Sequence, residues 1–131
     1  MNDSDVLLEA MYEADDCLIG ALLIEATTQT RDALIEVSGI VEPGDFKHPL
    51  NQTIFKAMCD CGKPPHQINT AQQLADTGTL DKHAIAHMSH CIAITPCSLD
   101  YLDYAKAVKY YSEVRQAKIS PGQRQYTGFE V

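Results

Sequence analysis

The chain has 131 residues, 45% of them hydrophobic and 21% charged, which is typical of one ordinary globular domain. It contains no apolar run of about 18 residues and no basic segment before an apolar core, so neither a transmembrane helix nor a secretory signal is predicted. The formal net charge of −8 has the wrong sign for a surface that neutralises phosphates, so we expect no direct DNA binding.

The acidic residues are concentrated at the start of the chain. Residues 1–60 hold 12 acidic and 3 basic side chains, a net charge of −9, whereas residues 61–131 hold 6 and 7, a net charge of +1. The first sixteen residues carry six acids and no base, a face expected to repel DNA and to steer a basic protein partner. We interpret residues 1–12 as an acidic N-terminal arm.

Between glycine and proline residues, apolar side chains recur at helical spacing, and no segment alternates as a strand does. The predicted fold class is therefore all-α, with about six helices in a compact head, a long C-terminal helix, a domain over residues 13–118 and a linker over 119–131. Thr70 and Gln73 have the spacing of a capping box, which predicts that a helix begins there. Helices are predicted over residues 13–25, 30–38, 49–61, 70–78, 81–94 and 98–118.

Three histidines, His83, His87 and His90, share one stripe of a predicted helix, with the spacing that metal ligands can have. On a helical wheel this stripe lies opposite the apolar residues Ile85 and Met88 and faces water. We therefore predict no metal site and treat the three histidines as the candidate ligands if one exists. No nucleotide-binding glycine motif and no nucleophile signature is present, so no catalytic residue is predicted.

The last predicted helix is apolar on two faces, and such a helix must be covered on both. One face can pack on the head while the other contacts another subunit, and tyrosines suit such a contact. The alternative is that both faces are buried within one monomer. The candidate interface residues are Tyr101, Tyr104, Val108, Tyr110, Tyr111 and Val114.

Short blocks of sequence, in order, carry a resemblance to a known family. They are EADDCLIGALL at 13–23, PGDF at 43–46, IFKAM at 54–58, GKP at 62–64, AQQL at 71–74, GTL at 78–80, TP at 95–96 and DYLDYAKAV at 100–108. Each block is weak alone, but the ordered set resembles the N-terminal domain of DnaB-type replicative DNA helicases.

The resemblance implies that the last helix is part of a helical hairpin. It also implies a non-catalytic role in DNA replication, in which the domain pairs with other helicase subunits and docks primase or a helicase loader. The location it implies is the cytoplasm of a bacterium or a phage-infected cell. The family's second hairpin helix and its P-loop ATPase domain have no counterpart here, so ATP and Mg²⁺ are expected only in a missing helicase domain.

The chain also departs from the family pattern. The Glu-Gln pair of the family's first helix is Asp15-Asp16 here, its histidine in the P-x-D-F block is Asn51, and its Ile-Asp after G-x-P is Pro65-His66. Two functions remain in view. The first is the helicase module that the resemblance implies, and the alternative is a free-standing replication regulator or adaptor that responds to metal through its histidine stripe.

Overall fold

The computed structural model describes residues 3–116, and α-helices dominate this range. No described helix has both the length and the apolar character needed to cross a bilayer. The all-α fold class is confirmed. The helices are α1 (Asp3–Glu25), α2 (Asp32–Ser38), α3 (Pro49–Asp60), α4 (Gln67–Asp76), α5 (Lys82–Ile94) and α6 (Tyr101–Arg115), with one-turn 3₁₀ helices at Ala26–Thr28, Pro43–Asp45 and Ser98–Asp100.

Helix α1 is the centre of the fold, and α5 and α6 pack against it on two sides. Its second half is buried all round, because every residue from Cys17 to Leu23 is inaccessible to water. Gly20 permits the closest approach: a Cβ there would overlap the carbonyl group of Cys91 and the hydroxyl of Thr95 on the α5 side. The absence of a side chain at this position therefore brings the α1 and α5 backbones into contact.

The turn at residues 43–46 delivers Phe46 to the core. Phe46 is fully buried, and its ring centroid lies 5.0 Å from that of Phe55 on α3. Apolar residues of α3 and α4 complete the core around these two rings; Ile54, Met58 and Leu74 are almost completely buried.

The predicted acidic arm is not a separate element, because α1 begins at Asp3 and runs through it. The sequence of residues 3–12 explains why the helix continues through this segment. Leu, Glu, Ala and Met are strong helix formers, and Asp3 and Asp5 in the first turn favour the positive end of the helix dipole. Only the second half of this helix carries the apolar period on which the prediction was based.

The predicted capping box is also wrong. Helix α4 begins at Gln67, and the imidazole of His66 caps it by accepting a hydrogen bond from the backbone N–H of Asn69 at 3.3 Å. Thr70 lies inside the helix, where its buried hydroxyl donates to the carbonyl of Pro65. At the other end, α6 is described to Arg115, and the predicted end at residue 118 and the predicted linker at 119–131 lie outside the described residues.

Candidate functional site

Two adjacent carboxylates on α1 reach different neighbours. The side chain of Asp15 is almost fully buried and accepts a hydrogen bond from the backbone N–H of His48 at 2.9 Å. Burial raises the pKa of Asp15 to about 6, and the backbone N–H groups of His48 and Lys47 and the charge of Arg115 offset only part of that effect. The hydrogen bond from His48 to Asp15 therefore links α1 to the loop before α3. Near neutral pH the charged form of the buried Asp15 carboxylate costs free energy of folding.

Asp16 is part of a polar group that joins α1, α3 and α5, which we call the Asp16 cluster (Asp16, Asn51, His87 and Cys91). Oδ1 of Asp16 accepts from the Asn51 amide at 2.9 Å and lies 3.3 Å from Nε2 of His87. The same imidazole nitrogen is 2.8 Å from Oδ1 of Asn51 and 3.5 Å from the Cys91 sulfur. Burial alone would raise the pKa of Asp16, but hydrogen bonds with His87 and Asn51 outweigh it and hold the pKa below the ordinary value.

The structure separates the predicted histidine stripe. Within it, His87 is largely buried, with 15% of its side chain exposed, whereas 56% of the His90 side chain is exposed and His83 lies at the surface. The prediction that all three histidines face water is thus wrong for His87. The prediction centred the buried face on Ile85 and Met88; the structure buries Met88 together with Ala84 and Cys91 and exposes Ile85, so the buried face is rotated towards His87.

One histidine of this region was missed. His48 stacks on His87, with ring centroids 5.1 Å apart, and its Nδ1 accepts from the backbone N–H of Leu50 to cap α3. The signal for the cap was present, since the residue before Pro49 is extended and can accept from the first turn. Nothing local indicated the contact with α5.

Asp45 forms a second polar centre, the Asp45 hub (Asp45, Glu42, Lys109, Ser112 and Arg115). Its buried carboxylate accepts from the backbone N–H of Glu42 at 2.8 Å and from the hydroxyl of Ser112 at 2.7 Å. Lys109 Nζ lies 3.5 Å from the same carboxylate, and Arg115 donates to the Asp45 carbonyl. Two of the basic side chains of α6 therefore hold the turn at residues 43–46 in place.

The candidate interface residues of α6 fall into two groups. Tyr104, Val108 and Tyr110 are buried within the chain, and of these three only Tyr104 lines a surface hollow. The half-exposed members are Tyr101, Tyr111 and Val114; the hydroxyl of Tyr101 donates to Glu36 at 2.7 Å.

An apolar groove runs between the first half of α1 and α6. Its inner hollow has a volume of about 270 Å³, and a shallower hollow of about 530 Å³ continues it towards the start of α1, with Ala10 and Tyr111 lining both. Three large apolar side chains of the same stretch of α1 are exposed: Val6, Leu8 and Tyr12. We call this region the α1/α6 groove; it is also lined by Val6, Leu7, Ala14, Pro96 and Tyr104.

The same half of α1 presents an acidic row. Asp5, Glu9 and Glu13 recur every four residues and are exposed, and Leu8 and Tyr12 flank them on the helix surface. The two buried cysteines of the described residues stay in the thiol form. Burial raises the pKa of the Cys17 thiol to about 11 and that of Cys91 further, so neither sulfur is a nucleophile at neutral pH.

Comparison with known proteins adds to this geometry. A family model described as DnaB-like helicase N terminal domain matches residues 8–110. The crystal structure of the N-terminal domain of DnaB helicase from Mycobacterium tuberculosis is similar, with a TM-score of 0.71 and 23% sequence identity, over 81% of this chain and 76% of that chain. A search of curated proteins finds no match. At this identity the structural likeness shows the fold alone, whereas the family match spans most of the chain.

Proposed function

Since the chain belongs to the family of DnaB-like helicase N-terminal domains, we propose that it is the non-catalytic N-terminal module of a replicative DNA helicase, associating with other subunits and docking primase or a loader. The observation that carries the proposal is the α1/α6 groove with the acidic row beside it. The module itself uses no nucleotide, and ATP and Mg²⁺ belong to a separate motor domain of the helicase. It acts in the cytoplasm, at the replication fork.

Subunit association is proposed through the apolar side of this surface. Val6 is 54% exposed and lines, with Leu7 and Tyr111, a hollow that is open to a second copy. Clustered apolar side chains of this kind mark protein contact sites, because burying them removes apolar area from water.

Partner docking is proposed through the acidic row at Asp5, Glu9 and Glu13. A row of exposed carboxylates accelerates encounter with a basic surface and repels DNA. A primase or loader that uses this row must therefore present lysine or arginine side chains, and its binding must weaken as salt concentration rises.

Sedimentation velocity of the full chain tests subunit association. We expect concentration-dependent dimers or larger species from the wild type, and monomers from Val6→Glu. Ile68→Glu is the matched control, because Ile68 is 77% exposed but lies on α4, away from the groove. A wild type that stays monomeric at every concentration would contradict this part of the proposal.

Pull-down with the primase and the loader of the same replication system tests docking. Glu9→Lys combined with Glu13→Lys should lower affinity about tenfold or more, and added salt should lower wild-type affinity more than that of the variant. Unchanged affinity in the double variant, or no binding of either protein by the wild type, would count against docking by this row.

A further inference from the structure

We propose that the Asp16 cluster binds a divalent transition metal of the zinc class, with Asp16, His87 and Cys91 as protein ligands. Their ligand atoms all lie within 4.8 Å of one another, although they come from two helices separated by about 70 residues of sequence. They supply a carboxylate oxygen, an imidazole nitrogen and a sulfur, a mixed set that suits zinc and not magnesium or calcium.

The distances between ligand atoms match a tetrahedral site. With Zn–N and Zn–O bonds of about 2.05 Å and a Zn–S bond of about 2.3 Å, a tetrahedron has an N···O edge of about 3.3 Å and an N···S edge of about 3.6 Å. The distance from Nε2 of His87 to Oδ1 of Asp16 is 3.3 Å, and that to the Cys91 sulfur is 3.5 Å. Two of the three edges therefore already have coordination spacing.

A fourth ligand is close by. His90 lies one helical turn from His87 on α5, and its Nε2 is 3.9 Å from Oδ2 of Asp16. More than half of its side chain is exposed, so it is free to turn towards the ion and complete the tetrahedron. The partial exposure at this edge also gives the ion a route from solvent.

The surroundings orient the ligands as outer partners do in metal sites. The Asn51 amide holds Oδ1 of Asp16 at 2.9 Å, and the His48 ring stacks on His87. The ion replaces the proton on Nε2 of His87, which is hydrogen-bonded to Asn51, and the imidazole carries its proton on Nδ1 instead. The thiol proton of Cys91 is released to solvent. The ion and its two anionic ligands then sum to zero charge, which suits a buried site.

Cobalt titration of the metal-free full chain tests the proposal. We expect the visible absorption of tetrahedral Co²⁺ and a thiolate-to-cobalt charge-transfer band, which zinc then displaces. Zinc at about 100 times its Kd should raise the melting temperature by about 10 °C. Asp16→Asn and His90→Ala should each weaken binding about tenfold or more.

Matched variants make the outcome unambiguous. Cys91→Ser should abolish the charge-transfer band, whereas Cys97→Ser, which removes an exposed thiol, should keep it. His83→Ala, on the same helix but outside the cluster, should bind as the wild type does. No tetrahedral cobalt spectrum in the wild type, or a charge-transfer band that survives in a folded Cys91→Ser chain, would overturn the proposal. If Cys91→Ser does not fold, unchanged affinity in Asp16→Asn and His90→Ala would overturn it.

Discussion

Asp15 and Asp16 are neighbours in the chain, but their surroundings move their pKa values in opposite directions. Burial dominates at Asp15 and raises the pKa to about 6, although two backbone N–H groups point at the carboxylate. At Asp16 the hydrogen bonds with His87 and Asn51 prevail over burial and lower the pKa. The charge of Asp16 is thus stabilised by the fold, and that of Asp15 is not.

The raised pKa of Asp15 makes stability depend on pH. A group whose pKa is higher in the folded state contributes stability that is present below its unfolded value, 3.8, and is lost as pH rises through about 6. At pH 8 the loss is about 3 kcal/mol, from the difference between those two values. Asp15→Asn keeps an oxygen for the His48 N–H and removes the charge, so urea unfolding at pH 8 should show a gain of up to about 3 kcal/mol.

The gain should shrink to below about 1 kcal/mol at pH 4, where wild-type Asp15 is protonated in the fold. Asp3→Asn, at an exposed position, serves as the control and should change stability little at either pH. An Asp15→Asn chain that is less stable than the wild type at pH 8 would show that the charge supports the fold.

The residues of the Asp16 cluster could be predicted only in part. Regular spacing on one helix singled out His87, because three histidines in two turns stand out in the sequence. Its partners Asp16 and Asn51 lie 71 and 36 positions away, and no local pattern relates such distant residues. Their meeting depends on how α1, α3 and α5 cross, which packing decides.

At the level of elements, local signals predicted most helix ends. Asp81 was expected to begin α5, and its carboxylate accepts from the backbone N–H of Ala84 at 2.8 Å as the N-cap. The boundaries that failed lie where no local signal is decisive: α1 extends through a stretch without an apolar period, and the cap of α4 is a histidine. The face of α5 failed for a different reason: Met88 is buried as predicted, but Ala84 and Cys91 share its buried face in place of Ile85, which is exposed.

The close contact between α1 and α5 leads to a prediction at Gly20. Alanine is the better helix former by about 1 kcal/mol, so an exposed Gly20→Ala change would stabilise α1. Here the added Cβ would overlap the Cys91 carbonyl, and backbone cannot turn aside as a side chain can. We expect the variant to lose about 1–3 kcal/mol of unfolding free energy, measured by urea denaturation.

The matched change is Gly44→Ala, where a Cβ meets nothing within 4 Å. It should leave stability within about 0.5 kcal/mol of the wild type. Equal stability in the two variants would mean that α1 and α5 separate easily and that their contact adds little to the fold.

Over the whole described molecule, the basic side chains of α6 and the acidic row of α1 have different structural roles. Lys109 and Arg115 on α6 both contact Asp45, so these two bases hold the turn at residues 43–46 against α6. The acidic row of α1 lies at the surface, on the half of the helix that contributes least to the core. The second half of α1 therefore forms the core, and its first half provides the proposed contact surface.

Deleting residues 1–10 tests this separation. The described residues removed, 3–10, are exposed or half-buried, and the buried segment of α1 begins at Met11. We expect a loss of about 1–2 kcal/mol, mainly from Leu7 and Ala10, and a fall in melting temperature of less than about 10 °C. Self-association should disappear, because one wall of the α1/α6 groove is gone. A shortened chain that unfolds at room temperature, or one that still associates, would show that the two roles of α1 are not separable.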